Sequence, residues 1–187
     1  MHSTSGRPIS AGGGLSLDLL PEKWIGSFRS DTQVLPEDLH PAGARAAVLQ
    51  SWELAAGPKV IETSALRLDA FAGARAWALR VADSTSGLPS DDVERETWVD
   101  PIAGLRADFP LAEGFTLRFR GDAALGNSGS ENAWRASAAG IFHVSTVVSL
   151  SLGWETSSVH YDRGRGADRV LYDVTLSGPF LALEIRF

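Results

Sequence analysis

The chain has no cysteine, which excludes disulfides, thiolate metal sites and cysteine nucleophiles. It has no excess of positive charge. A formal net charge of −6 and a pI near 5.2 argue against nucleic acid as a partner, because phosphate binding needs a basic face. No stretch approaches the ~18 consecutive apolar residues of a spanning helix, so a helical membrane protein is excluded. A barrel is not, since its strands alternate and average to a mild value; the mean hydropathy is −0.02. HExxH, paired-histidine and GxSxG patterns are all missing, and His2, His40, His143 and His160 are scattered. No cofactor, no metal and no enzymatic activity are therefore expected. The stretch "MHSTSGRPISAGGGLSLDLLPEKW", as written, lacks the basic region and continuous apolar run of a secretory signal.

What the chain does have is alternation. In "FTLRFRGDAAL", Phe115, Leu117, Phe119 and Ala123 share one face, and Thr116, Arg118, Arg120 and Asp122 the other. "VVSLSLGWETS" sets Val148, Leu150, Leu152 and Trp154 against Ser149, Ser151 and Glu155. "VDPIAGLRADF" sets Val99, Ala103, Leu105, Ala107 and Phe109 against Asp100, Arg106 and Asp108. Less regular runs cover 24–35, 45–57, 65–79, 133–143 and about 170–187. Eight such segments have the ~9–11 residues that a tilted spanning strand requires. In the last run the apolar parity changes from Tyr172, Val174 and Leu176 to Leu181 onward, which predicts a bulge at Gly178-Pro179. Short connections ("PKVIETS", "PLAEG", "HVST") alternate with longer polar ones ("PEDLHPAG", "ADSTSGLPSDDVERE", "GNSGSEN", "DRGRGADR"). The expected architecture is all-β: an eight-stranded, antiparallel, up-and-down transmembrane barrel over 23–187, after a flexible leader at 1–22.

Period two does not say which face meets solvent. In a soluble, lipocalin-like cup the charges would point out and the aromatics in. In a membrane barrel the same strand is inverted. The inverted case is favoured by a proposed outer face rich in Ala, Leu, Val and Gly, and by charge of both signs on the polar face of every strand after the first. Arg45 with Glu53, Arg67 with Asp69, Asp100 with Arg106, and Glu184 with Arg186 are examples of both signs on one face, the last an ion-pair candidate. Trp98, Trp134, Trp154 and Phe187 fall where interfacial girdles sit, whereas parity turns Trp77 inward. The expected lumen network is Asp100, Arg106, Asp108, Arg118, Arg120, Asp122, Arg135, Glu155, Glu184 and Arg186. It reads as a self-neutralising plug, with a narrow porin for small solutes or ions as the alternative. Arg120 and Asp122, which flank Gly121 in an Arg-Gly-Asp triplet, belong to that inward face.

The closing "FLALEIRF" resembles the assembly signal of bacterial outer-membrane barrels, with Leu181, Leu183, Ile185 and Phe187 at the matching positions. "WVDPIAGLR", "FTLRFRGDAALG", "AWRASAAGIF" and "YDVTLSGPFLALEIRF" look like the second half of small Gram-negative outer-membrane proteins similar to the transmembrane domain of OmpA or to OmpW. The likeness runs from about Leu66 to the end. Relatives of this type are longer at the front, so either the start is truncated or the barrel is reduced to eight strands. The resemblance implies the outer membrane as location, recognition of the last strand by the barrel-assembly machinery, lipid and lipopolysaccharide as surroundings, and a monomer. Arg163, Arg165 and Arg169 are the candidate lipopolysaccharide contacts, because guanidinium pairs phosphate in bidentate fashion. Asp91, Asp92, Glu94 and Glu96 read as a solvated acidic loop, with a bridging divalent cation as the sharper alternative. His160 beside Ser157 and Ser158 is like the external residues of lipid-A-modifying barrels, without a second member of a catalytic pair.

Overall fold

Alternating β-branched, aromatic and small residues give strands throughout the computed structural model, which describes residues 12–19, 23–34, 44–83, 93–126, 132–163 and 170–186. The strands are β1 (Gly12–Leu19), β2 (Trp24–Val34), β3 (Ala44–Glu62), β4 (Arg67–Asp83), β5 (Val93–Ala112), β6 (Phe115–Ala124), β7 (Asn132–His143), β8 (Val148–Arg163) and β9 (Val170–Arg186). They close into one barrel in chain order.

The barrel therefore has nine strands and not the expected eight. The extra one, β1, lies within the stretch assigned to a flexible leader. Its three glycines read as a linker, but Leu15, Leu17 and Leu19 alternate with Ser16 and Asp18, and Asp18 is buried. Residues 1–11 and 20–22 of that leader lie outside the described residues. An odd strand count also breaks the all-antiparallel expectation, because one seam must be parallel. β1 pairs parallel with β9, from Gly12 opposite Phe180 to Asp18 opposite Arg186. Every other pairing is antiparallel.

The joins alternate as expected, although strands claim part of the short ones at 58–64, 110–114 and 143–146. Thr63 closes the β3–β4 turn, its Oγ1 accepting the Leu66 N–H at 3.0 Å. Ser145 Oγ accepts the Val148 N–H at 3.0 Å in the β7–β8 turn, and Glu113-Gly114 joins β5 to β6. These turns share one end of the barrel; most of each longer join lies outside the described residues, including Asp91, Asp92, Arg165 and Arg169.

The bulge predicted at Gly178-Pro179 is absent. β8 and β9 keep one register from Val148–Ile185 to Arg163–Val170. Leu176 is inward and so are Ala182 and Glu184, so side-chain parity never changes. What changes is the chemistry of the interior, which is apolar around Leu176 and ionic around Glu184. Inward glycines let the strands coil tightly. A methyl on Gly73 would run into the Leu54 carbonyl oxygen and come within 2.6 Å of Ala55 Cα, whereas one on Gly13 meets nothing within 4 Å. Gly73→Ala is expected to cost about 1–3 kcal/mol in chemical denaturation, and Gly13→Ala less than about 0.5 kcal/mol.

Candidate functional site: an ion-paired lumen

The barrel is inside-out relative to a water-soluble one. Arg75 (1% exposed), Glu53, Asp69, Asp100 and Arg135 are buried, while Leu54 (68%), Leu105 (55%), Leu152 (54%) and Leu181 (51%) are exposed. Asp108, Asp122, Glu155, Glu184, Arg106 and Arg118 are likewise buried in the lumen, and Arg120 is nearly so. Parity thus places these expected residues inward.

Most of their partners come from other strands and not from sequence neighbours. Each guanidinium bridges two carboxylates, mostly from different strands. Arg75 holds Glu53 on β3 at 2.6 Å and Asp122 on β6 at 2.6 Å. Arg118 holds Asp108 at 2.7 Å and Glu184 at 2.9 Å. Arg106 reaches Asp18 at 2.9 Å and Asp69 at 3.0 Å. Arg29 binds Asp31 at 2.8 Å and Glu155 at 2.6 Å, and Arg135 binds the same two carboxylates from β7. Arg120 pairs with Glu53 and Arg67 with Asp108.

Arg67 and Asp69, of opposite sign on one polar face, lie 3.5 Å apart. The expected Glu184/Arg186 pair gives way to another partner, since Glu184 takes Arg118, while Asp100 accepts the Trp77 indole N–H at 2.9 Å. Arg186 is only partly buried, at the turn end of the lumen. The side chain of Arg45 lies outside the described residues. Sequence reasoning missed Asp18, Arg29, Asp31 and Arg75, although "FRSD" and "ARAW" carry the same two-residue period.

All the cations in these lumen pairs are arginine. The chain's two lysines, Lys23 and Lys59, sit side by side at the turn end, where the Lys59 N–H donates to the Lys23 carbonyl at 3.1 Å. A planar guanidinium can bridge two carboxylates and also stack on a ring, which an ammonium cannot do as well. Arg75 and Arg135 lie 5.5 and 5.6 Å from the Trp77 ring, and Arg120 lies 4.3 Å from that of Phe71. Trp77 is inward, as parity predicted. Trp98, expected in an interfacial girdle, is also inward and stacks on Trp77 with ring centroids 6.0 Å apart. With Leu49, Leu79, Ala133, Val159 and Leu176 these rings form an apolar cap across the long-join end of the lumen. Trp134 and Trp154 face outward.

At the turn end a cavity of about 350 Å³ opens between Arg67, Thr116, His143 and Arg186. The His143 ring is clamped at 2.9 Å by Thr116 Oγ1 on one nitrogen and Ser149 Oγ on the other. Among the described residues no group of three or more His, Asp or Glu side chains is arranged to hold a metal ion. On the outer face of β9, Leu181 and Leu183 are exposed and Ile185 is partly so, in one row; Phe187 and the side chain of Arg163 lie outside the described residues. Comparison of the chain with protein-family models, with curated proteins and with solved structures finds no match in any of the three.

Proposed function

We propose that the chain is an integral outer-membrane β-barrel with a structural or surface-interaction role, non-enzymatic, and stoppered by its own ion pairs. The observation that carries this reading is the radial inversion: guanidinium–carboxylate bridges fill the middle, and leucine, valine and aromatic side chains cover the outside. In water, so extensive an exposed apolar belt would drive association. In a bilayer it meets hydrocarbon, and a closed ladder satisfies the backbone without water. β2 to β9 each have at least the ~9–11 residues that crossing requires. The outward row Leu181, Leu183, Ile185 fits a last strand captured by the assembly machinery through strand pairing. These features suit a small Gram-negative barrel of the kind represented by the OmpA transmembrane domain and OmpW, monomeric in outer-membrane lipid and lipopolysaccharide.

Membrane fractionation and a detergent gel test this. The expected result is recovery with the outer membrane and a band that migrates faster before boiling than after. A protein that stays in solution without detergent and binds an apolar fluorophore would be a soluble cup. In planar bilayers the bridged lumen and its apolar cap are expected to give no steady ohmic steps; such steps would establish the narrow-porin alternative and reject the stopper.

A further inference from the structure

We propose that β1 is an exchangeable closing strand, and that the barrel also closes with eight strands when β2 pairs directly with β9. The inference rests on topology and lumen packing, not on the membrane reading.

The β1–β9 seam is the weakest in the ladder. It is parallel, a pairing somewhat less stable per residue than antiparallel. It runs only from Phe180 to Arg186 along β9, whereas β8 pairs with β9 from Arg186's neighbour Ile185 back to Val170. The pairing begins just after Pro179, which has no N–H to donate. β1 itself opens with Gly12, Gly13 and Gly14, the residues that lose most backbone entropy on ordering.

The lumen bears the mark of an inserted strand. Beside β1 lies a void of about 40 Å³ between Ser16 and Asp18, the arginines Arg29, Arg106, Arg118 and Arg120, and short side chains such as Ser137 and Ala139 on β7. Eight strands enclose a space that side chains just fill; a ninth widens it. Asp18 lines this void, and its Oδ1, like Asp69 Oδ1 and Asp122 Oδ2, has no hydrogen-bond partner among the described residues. Described carboxylates outnumber guanidiniums in the lumen. Withdrawal of β1 removes Asp18 and closes part of that gap, while Arg106 keeps its bond from Nε to Asp69 at 3.0 Å.

The flanking strands are already poised to meet. β2 is antiparallel to β1, and β1 is parallel to β9, so β2 and β9 run antiparallel to each other. Gly14 stands between Asp31 and Ala182, both inward, so direct pairing of β2 with β9 keeps every inward side chain inward.

A chain without cysteine permits a clean test by paired substitution and mild oxidation of the folded protein. Leu15→Cys with Leu183→Cys joins register partners of the nine-stranded closure. Leu183→Cys combined with either Phe28→Cys or Ser30→Cys joins β2 to β9. With β1 between them, those strands are two spacings apart, ~9.5 Å, beyond the ~7 Å Cα limit for a disulfide. Both kinds of intramolecular disulfide are expected, the β2–β9 one more slowly. Once formed it should abolish hydrogen-exchange protection across β1 while leaving that of β3 and β4 intact. The proposal is overturned if neither β2 position closes on β9 in folded protein while the β1–β9 pair does. It is equally overturned if the β2–β9 disulfide leaves β1 protected, or forms only once β3 and β4 have lost their protection.

Discussion

Arg75→Ala is expected to lower the unfolding free energy by about 3–5 kcal/mol, the usual cost of leaving a buried charge without its partner. Arg75 is 1% exposed and holds both Glu53 and Asp122 at 2.6 Å. Truncation strands two carboxylates, and Arg120 compensates only in part because it already pairs with Glu53. The face of Trp77 also loses a guanidinium. A urea titration of the folded barrel, followed by tryptophan fluorescence, measures the shift in midpoint at constant slope. Arg75→Lys is expected to recover less than half of the loss, since one ammonium cannot reproduce the planar bridge. A midpoint unchanged by the alanine variant would mean that water reaches the lumen and solvates these groups.

Leu152→Arg is the second large effect, and it separates lipid from water. Leu152 points outward between Leu150 and Trp154, opposite Leu181 on β9, and is 54% exposed. In a bilayer, an arginine placed on the lipid face near the midplane costs about 2–4 kcal/mol. On a water-exposed surface the same change stays within about 0.5 kcal/mol. Unfolding in lipid vesicles is expected to show the larger figure. A difference near zero would remove the bilayer from the account.

The division of each strand into two faces was legible in the sequence because it needs only parity; which face turns inward does not follow from parity. Once "FTLRFRGD" alternates, Arg118, Arg120 and Asp122 must share a face, and the burial of the first and last agrees. Parity does not identify partners. Side chains two apart on a strand lie ~6.7 Å from each other, while cross-strand neighbours lie ~5 Å apart, so the ladder register decides which carboxylate an arginine meets. Glu184 was therefore misassigned to Arg186 in place of Arg118. β1 was hidden because glycine signals a linker as readily as a strand that passes close to another backbone: a methyl on Gly14 would lie 2.7 Å from the Ser30 carbonyl oxygen. Leu176 implies a bulge only if the interior is polar along the whole axis, and the long-join end of the lumen is apolar.

The bridges across the lumen also constrain how such a chain can fold. Arg29 and Glu155 are separated by 126 positions, and Arg135 and Asp31 by 104, so neither contact exists until nearly every hairpin is in place. No local piece can dehydrate its arginines profitably by itself, and loop-closure entropy must be met long before these ion pairs offset it. High contact order of this kind makes spontaneous folding slow and late-cooperative. A catalyst that holds the growing sheet open until its two ends meet would shorten the wait far more than any change in local strand propensity.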